Sequence, residues 1–244
     1  MLFIMLLAFL LVYDPIFGKM MFERFVRKLI RNQTTRVSYY YETIAVLWGA
    51  VLLLFLAVWQ YKVPLTELGL QKVPTFNLLD GNPLNAWISA IVLGLILLYG
   101  IVFVVNTLLF VWKPHYFEKI QKEIEEEGYT TYLLPTSTKE KCVWVFVSIT
   151  AGVCEELLYR SFLMYYLPSL LDTQSVWISL ILSSLIFGLA HTYQGVKGAM
   201  KATTLGMYFC LLYLVTDSII PGMILHTLID LAGVFMMKSR KEKS

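Results

Sequence analysis

Cysteine, histidine and charge are all scarce in this chain. Its 244 residues include three cysteines, Cys142, Cys154 and Cys210, set singly in or beside apolar segments, with neither metal-ligand spacing nor an even-numbered bridge pattern. They read as small helix-packing residues, which excludes a disulfide scaffold and a cysteine-based zinc module. Charged residues make up 15% of the chain against 58% hydrophobic, with a mean hydropathy of +0.67, a balance that excludes an ordinary water-soluble domain. A net charge of +3 is too small to argue for a nucleic-acid partner. Internal repeats, a second soluble domain and a His-Glu-x-x-His helix are also missing. Met1 to Tyr13 has no basic n-region and no small-x-small cleavage site, so it is expected to stay as a span.

What is present is a series of long apolar stretches, near 1–18, 43–60, 86–112, 142–168, 175–192, 199–216 and 219–237. Most approach the ~20 residues needed to cross a hydrocarbon core. The predicted fold is therefore all-α, a polytopic transmembrane helix bundle of about seven spans. If the spans alternate, seventeen of the twenty Lys and Arg residues fall on one side, in the loops Lys19 to Arg36, Lys113 to Lys141 and Lys197 to Lys201 and in the tail from Lys238. The positive-inside rule then puts the amino terminus outside and the carboxyl terminus in the cytoplasm. Between the third and fourth spans, Phe117, Ile120 and Ile124 recur at helical spacing within Pro114 to Tyr129, with lysines and glutamates on the other faces. That pattern predicts a cytoplasmic interfacial helix. Lys62 to Pro83, rich in Pro and Gly, is expected to be an exposed connector. The chain divides into 1–136, the N-terminal transmembrane helices with the interfacial helix, and 137–244, a C-terminal transmembrane core with a basic tail. Small residues four apart recur at Ala90/Gly94, Ser148/Gly152, Ser184/Gly188 and Ala202/Gly206, a spacing that lets helix backbones approach in lipid.

Within the fourth span stands Glu155-Glu156-Leu157-Leu158-Tyr159-Arg160. A charge at the centre of a spanning helix costs roughly 2.5 to 3.5 kcal/mol on insertion scales, so such groups persist mainly where they pair and line a protected cavity. Residues four apart share a helix face and neighbours do not, so Glu156 is expected to pair with Arg160 while Glu155 points elsewhere. Glu155 is then the chemically free carboxylate, suited to act as a general base on water. Phe187 precedes His191 by four residues and can pack along its ring. His226 and Asp230 are also four apart, so both can face one cavity, and the carboxylate can set the tautomer of the imidazole.

The series Glu155-Glu156-x-x-x-Arg160, Phe187-x-x-x-His191 and His226-x-x-x-Asp230 resembles the three motifs of the CPBP intramembrane proteases, which include the type II CAAX prenyl proteases and bacterial relatives. The resemblance covers roughly residues 140–237. Thr66-Glu67-Leu68-Gly69-Leu70 also looks like a segment often seen in that family. The resemblance implies an endopeptidase that cuts a membrane-associated peptide or protein near the membrane surface. Glu155 and His191 would activate water, and His226 with Asp230 would stabilise the oxyanion. Asparagine is frequent in the family at the last position. An ionised Asp230 cannot donate to an oxyanion, so it must be protonated, orient His226, or bind something cationic. The short chain looks like the bacterial branch, in a cell membrane where prenylated substrates are not expected.

No cofactor is expected on this reading. Glu155, His191, His226 and Asp230 are nevertheless all competent zinc ligands, so a zinc-dependent form of the same hydrolase is an alternative. A non-catalytic membrane scaffold or immunity protein, and a proton-coupled carrier, are alternatives of other classes.

Overall fold

The computed structural model describes residues 1–70, 128–173 and 175–232, with Trp87, Ala90, Ile91, Gly94, Leu95, Leu98, Gly100, Ile101, Val102 and Val105 as helical positions between the first two stretches. Every extended element among the described residues is a helix. We number them α1 (Leu2–Ile30), α2 (Arg36–Tyr61), α3 (Tyr129–Leu133), α4 (Thr138–Leu170), α5 (Val176–Ala190), α6 (Gly195–Thr216) and α7 (Ile220–Leu231). Helices α1, α2, α4 and the run Thr192–Thr216 containing α6 are each long and apolar enough to cross a membrane, whereas α5 and α7 are shorter apolar helices. The predicted interfacial helix, except for its last residues, and the basic tail lie outside the described residues, as does most of the expected third span.

Three expected boundaries move. The first span does not end at residue 18, because α1 continues through Asp14-Pro15 to Ile30. From Phe9 to Gly18 it is wound as a π-helix around Pro15. Proline has no N–H and clashes with the preceding turn of an α-helix, and a wider turn accommodates both defects. Beyond Gly18 the helix is amphipathic, with Phe22 and Phe25 buried and Glu23, Arg24 and Arg27 outward. The basic residues placed in a loop therefore lie mostly on a helix. Lys197 and Lys201 likewise fall within α6. Helix α4 starts at Thr138, ahead of the apolar edge, because Ser137 and Glu140 form a capping box that satisfies the first backbone N–H groups.

The expected exposed connector is, in its described part, a docked turn. Leu65–Leu68 forms one 3-10 turn with Leu68 fully buried. Ser161 Oγ donates to the Leu68 carbonyl at 2.8 Å, and Ile219 N donates to the Gly69 carbonyl at 3.0 Å. Gly69 has φ +66° and lies against the Tyr213 ring, so a side chain there would be both strained and obstructed.

Helices α2 and α7 flank α4, α5 and α6 run along each other, and α1 lies against α2 and α5. Three of the small-residue pairs sit at these crossings. A Cβ on Gly152 would meet Thr227 and come within 2.9 Å of the Met223 carbonyl on α7. One on Gly188 would meet Thr203 and come within 2.9 Å of the Ala199 carbonyl on α6, and one on Gly206 would lie 3.2 Å from Ser184 Cα on α5. Gly94 has no described atom within 4 Å. The outer faces leave Leu52, Trp59, Phe146 and Leu185 exposed, an arrangement that suits lipid and would be unfavourable in water.

Candidate active site

Helix α4 changes winding at the site itself. It is α-helical to Glu155 and π-wound from Glu156 to Phe162, so the acidic pair straddles the junction. Single π turns inside α-helices often mark functional sites. The winding is supported from α5, where Ser183 Oγ donates to the Tyr159 carbonyl at 2.5 Å.

Glu156 and Arg160 are both fully buried, with Oε1 of the carboxylate 3.1 Å from Nη1 of the guanidinium. The same oxygen is 3.0 Å from Nδ1 of His226, across 70 positions of sequence. Glu156 thus holds an imidazole as well as a cation. Gly222, one turn before His226, makes this possible: a Cβ there would stand 3.1 Å from Glu156 Oε2. The guanidinium also lies over three rings, its carbon 4.1 Å from the Phe187 centroid, 5.2 Å from that of Phe209 and 6.0 Å from that of Tyr159. Such contacts suit a cation removed from water. Phe209 stacks in turn on His226 at 5.1 Å.

His226 is therefore oriented differently from the sequence expectation. The carboxylate bonded to it is Glu156, whereas Asp230 Oδ2 stands 3.9 Å from Nε2, beyond hydrogen-bond range. An ionised carboxylate only accepts, so Nδ1 carries a proton and Nε2 is the nitrogen turned toward Asp230 and toward Glu155, whose Oε2 is 3.8 Å away. Trp144 anchors the Asp230 backbone, its indole N–H donating to the Asp230 carbonyl at 2.9 Å.

His191 lies just past the end of α5. Its Nδ1 donates to the Phe187 carbonyl at 2.8 Å, satisfying an acceptor of the last helical turn. That bond assigns the proton to Nδ1 and leaves Nε2 with a lone pair. The Phe187 ring lies 4.5 Å from the imidazole, so one residue supports His191 through backbone and ring and Arg160 through its π face.

Glu155, His191, His226 and Asp230 line a single cavity of about 300 Å³, bordered by Tyr39, Trp144 and Tyr193. Oε2 of Glu155 is buried with no hydrogen-bond partner among the described residues, which leaves it able to take a proton from water. Residues 137–232, which carry all four of these side chains, match the family model for type II CAAX prenyl endopeptidase Rce1-like proteins. The similarity to that family covers this part of the chain. The match runs from the cap of α4 through the end of α7 and so contains every side chain of the cavity's polar cluster. The CAAX prenyl endopeptidase family implies an intramembrane protease, and the apolar helices make the chain an integral membrane protein. Curated proteins and solved structures give no match.

Among the described residues, no three His, Cys, Asp or Glu side chains are grouped so as to hold a metal ion. Glu155 and Asp230 both approach one nitrogen of His226, and the other nitrogen is taken by Glu156.

Residues the sequence reading did not select also enter the site. Asp14, from the π segment of α1, accepts a 2.6 Å hydrogen bond from the Tyr159 hydroxyl and lines a second cavity together with Glu155 and His191. Its signal in the sequence was a carboxylate next to a proline in an apolar run. Tyr193, Phe209 and Gly222 gave none, since aromatic and small residues are ordinary in a membrane bundle.

Proposed function

We propose that the chain is an intramembrane endopeptidase of metal-free, glutamate type, acting on a membrane-associated peptide or protein. Glu155, with the Nε2 lone pair of His191, takes a proton from water as the water oxygen attacks a peptide carbonyl. The proton passes to the departing amine as the C–N bond breaks. His226, bound through Nδ1–H to Glu156, donates from Nε2 to the oxyanion in its doubly protonated form. Asp230, facing that nitrogen, provides countercharge and orientation rather than a hydrogen bond of its own. The observation supporting this reading is that the four side chains, drawn from α4, α7 and the turn after α5, line one cavity beside a buried counter-ion pair. The N-terminal helices up to residue 136 frame the core formed from 137 onward. The distribution of basic residues supports an outside amino terminus and a cytoplasmic carboxyl terminus.

The experiment is a comparison of membrane peptides from cells carrying the wild-type chain with those from cells carrying Glu155→Ala. Fragments ending at defined sites should be present with the first and missing with the second, and identical profiles would refute the protease reading. The metal question needs elemental analysis and activity on the same purified sample. We expect no stoichiometric zinc and full activity after exhaustive chelation at neutral pH. About one zinc per active chain, with activity lost on removal and restored on return, would overturn the metal-free mechanism.

A further inference from the structure

Helix α1 brings to the site a carboxylate that the chemistry above does not use. Asp14 lies within an apolar helix long enough to span a membrane, where an ionised side chain is expected to have a countercharge. Among the described residues no lysine, arginine or histidine forms an ion pair with it, and its hydrogen bond is to the neutral hydroxyl of Tyr159. That bond occupies Oδ2. Oδ1 lies beside Gly18, where a first side-chain carbon would already touch it at 3.4 Å, so the missing side chain leaves that flank open.

The cavity Asp14 faces has a volume of about 100 Å³ and shares Glu155 and His191 with the larger one. Its wall combines two carboxylates with the rings of Tyr13, Tyr39, Tyr159 and Tyr193, and among the described residues it contains no lysine or arginine. Carboxylates and electron-rich ring faces attract the same kind of group, a cation stripped of water. An apolar or acidic side chain would leave Asp14 buried without compensation.

We propose that Asp14, with Tyr13, Tyr39 and Tyr193, forms a subsite for a basic side chain, lysine or arginine, of the peptide cut at Glu155. That the bound peptide is also cut rests on the proteolytic reading, whereas the subsite itself does not. The arrangement links helix α1 to specificity: the catalytic residues come from α4, α7 and the turn after α5, while the residue choosing what lies beside the scissile bond comes from a distant part of the chain. The competing role for Asp14 is that of a strut, docking α1 onto α4 through Tyr159.

The test uses the full chain carrying Glu155→Gln, so that binding is read without turnover, in detergent or nanodiscs. The probes are neutral apolar peptides with one lysine moved along the sequence, each paired with its Nε-acetyllysine counterpart. At one position lysine should bind about tenfold tighter than acetyllysine. Adding Asp14→Asn should remove that preference while leaving affinity for the acetylated peptide unchanged, which also reports folding. Asp14→Glu and Tyr159→Phe should each retain it. Absence of a lysine preference at every position overturns the proposal without any Asp14 variant. A preference that survives Asp14→Asn, or that Tyr159→Phe abolishes as fully, overturns it in favour of the strut. If the preference holds but the wild-type chain cuts none of these peptides, the subsite stands and the protease reading falls. If the wild-type chain cuts lysine and acetyllysine peptides equally well, the protease reading stands and the subsite falls.

Discussion

Glu155→Gln is expected to lower the initial rate of peptide cleavage by about a thousandfold, within the span usual for loss of a general base, while the protein reaches the membrane at near-normal abundance. The two side chains have the same shape, and Oε2 of Glu155 has no hydrogen bond among the described residues that the amide could break. His226 Nε2 stands 3.8 Å from it, too far for a hydrogen bond whose loss would unfold the helix. Rates on reconstituted protein and quantitative immunoblots of membranes separate the two readouts. A glutamine variant that cuts at the wild-type rate would remove Glu155 from the chemistry. One that fails to accumulate would assign it to structure.

The neighbouring substitution, Glu156→Gln, should act differently and with the largest effect on stability. It strands Arg160, which is 0% exposed and whose nitrogens have no hydrogen-bond partner among the described residues other than through this ion pair. Breaking one side of a buried pair costs about 3–5 kcal/mol. We expect a marked fall in membrane abundance together with loss of activity. The double variant Glu156→Gln, Arg160→Met gives a sharper readout, because removing both charges costs far less than stranding one. Methionine can lie between Phe187 and Phe209, so abundance should recover in large part. Activity should not, since His226 Nδ1 still lacks its carboxylate 3.0 Å away. Recovery of both would show that Glu156 serves only as a counter-ion. Recovery of neither would indicate that the guanidinium is needed for packing as well as charge.

The sequence by itself determined the class of fold, the order of the polar motifs and the pairing of Glu156 with Arg160. Each of these is a local property: a long apolar run must be helical in lipid, and residues four apart on a helix meet whatever surrounds them. It also marked Glu155, His191, His226 and Asp230 as out of place in an apolar context, and a cost of burial can be read one residue at a time. Only the tertiary structure decided what those residues touch. The bond from His226 to Glu156 spans 70 positions and that from Tyr159 to Asp14 spans 145, and no periodicity carries information over such distances. Helical spacing alone assigns the imidazole to Asp230, because that carboxylate is four residues away. Packing gave it to Glu156, because Gly222 lets α7 approach α4 closely enough for the shorter contact. The continuation of α1 through Pro15 was likewise hidden. A proline in an apolar run reads as a break, and it is tolerated here because ten residues adopt the wider π winding, which also turns Asp14 toward the site.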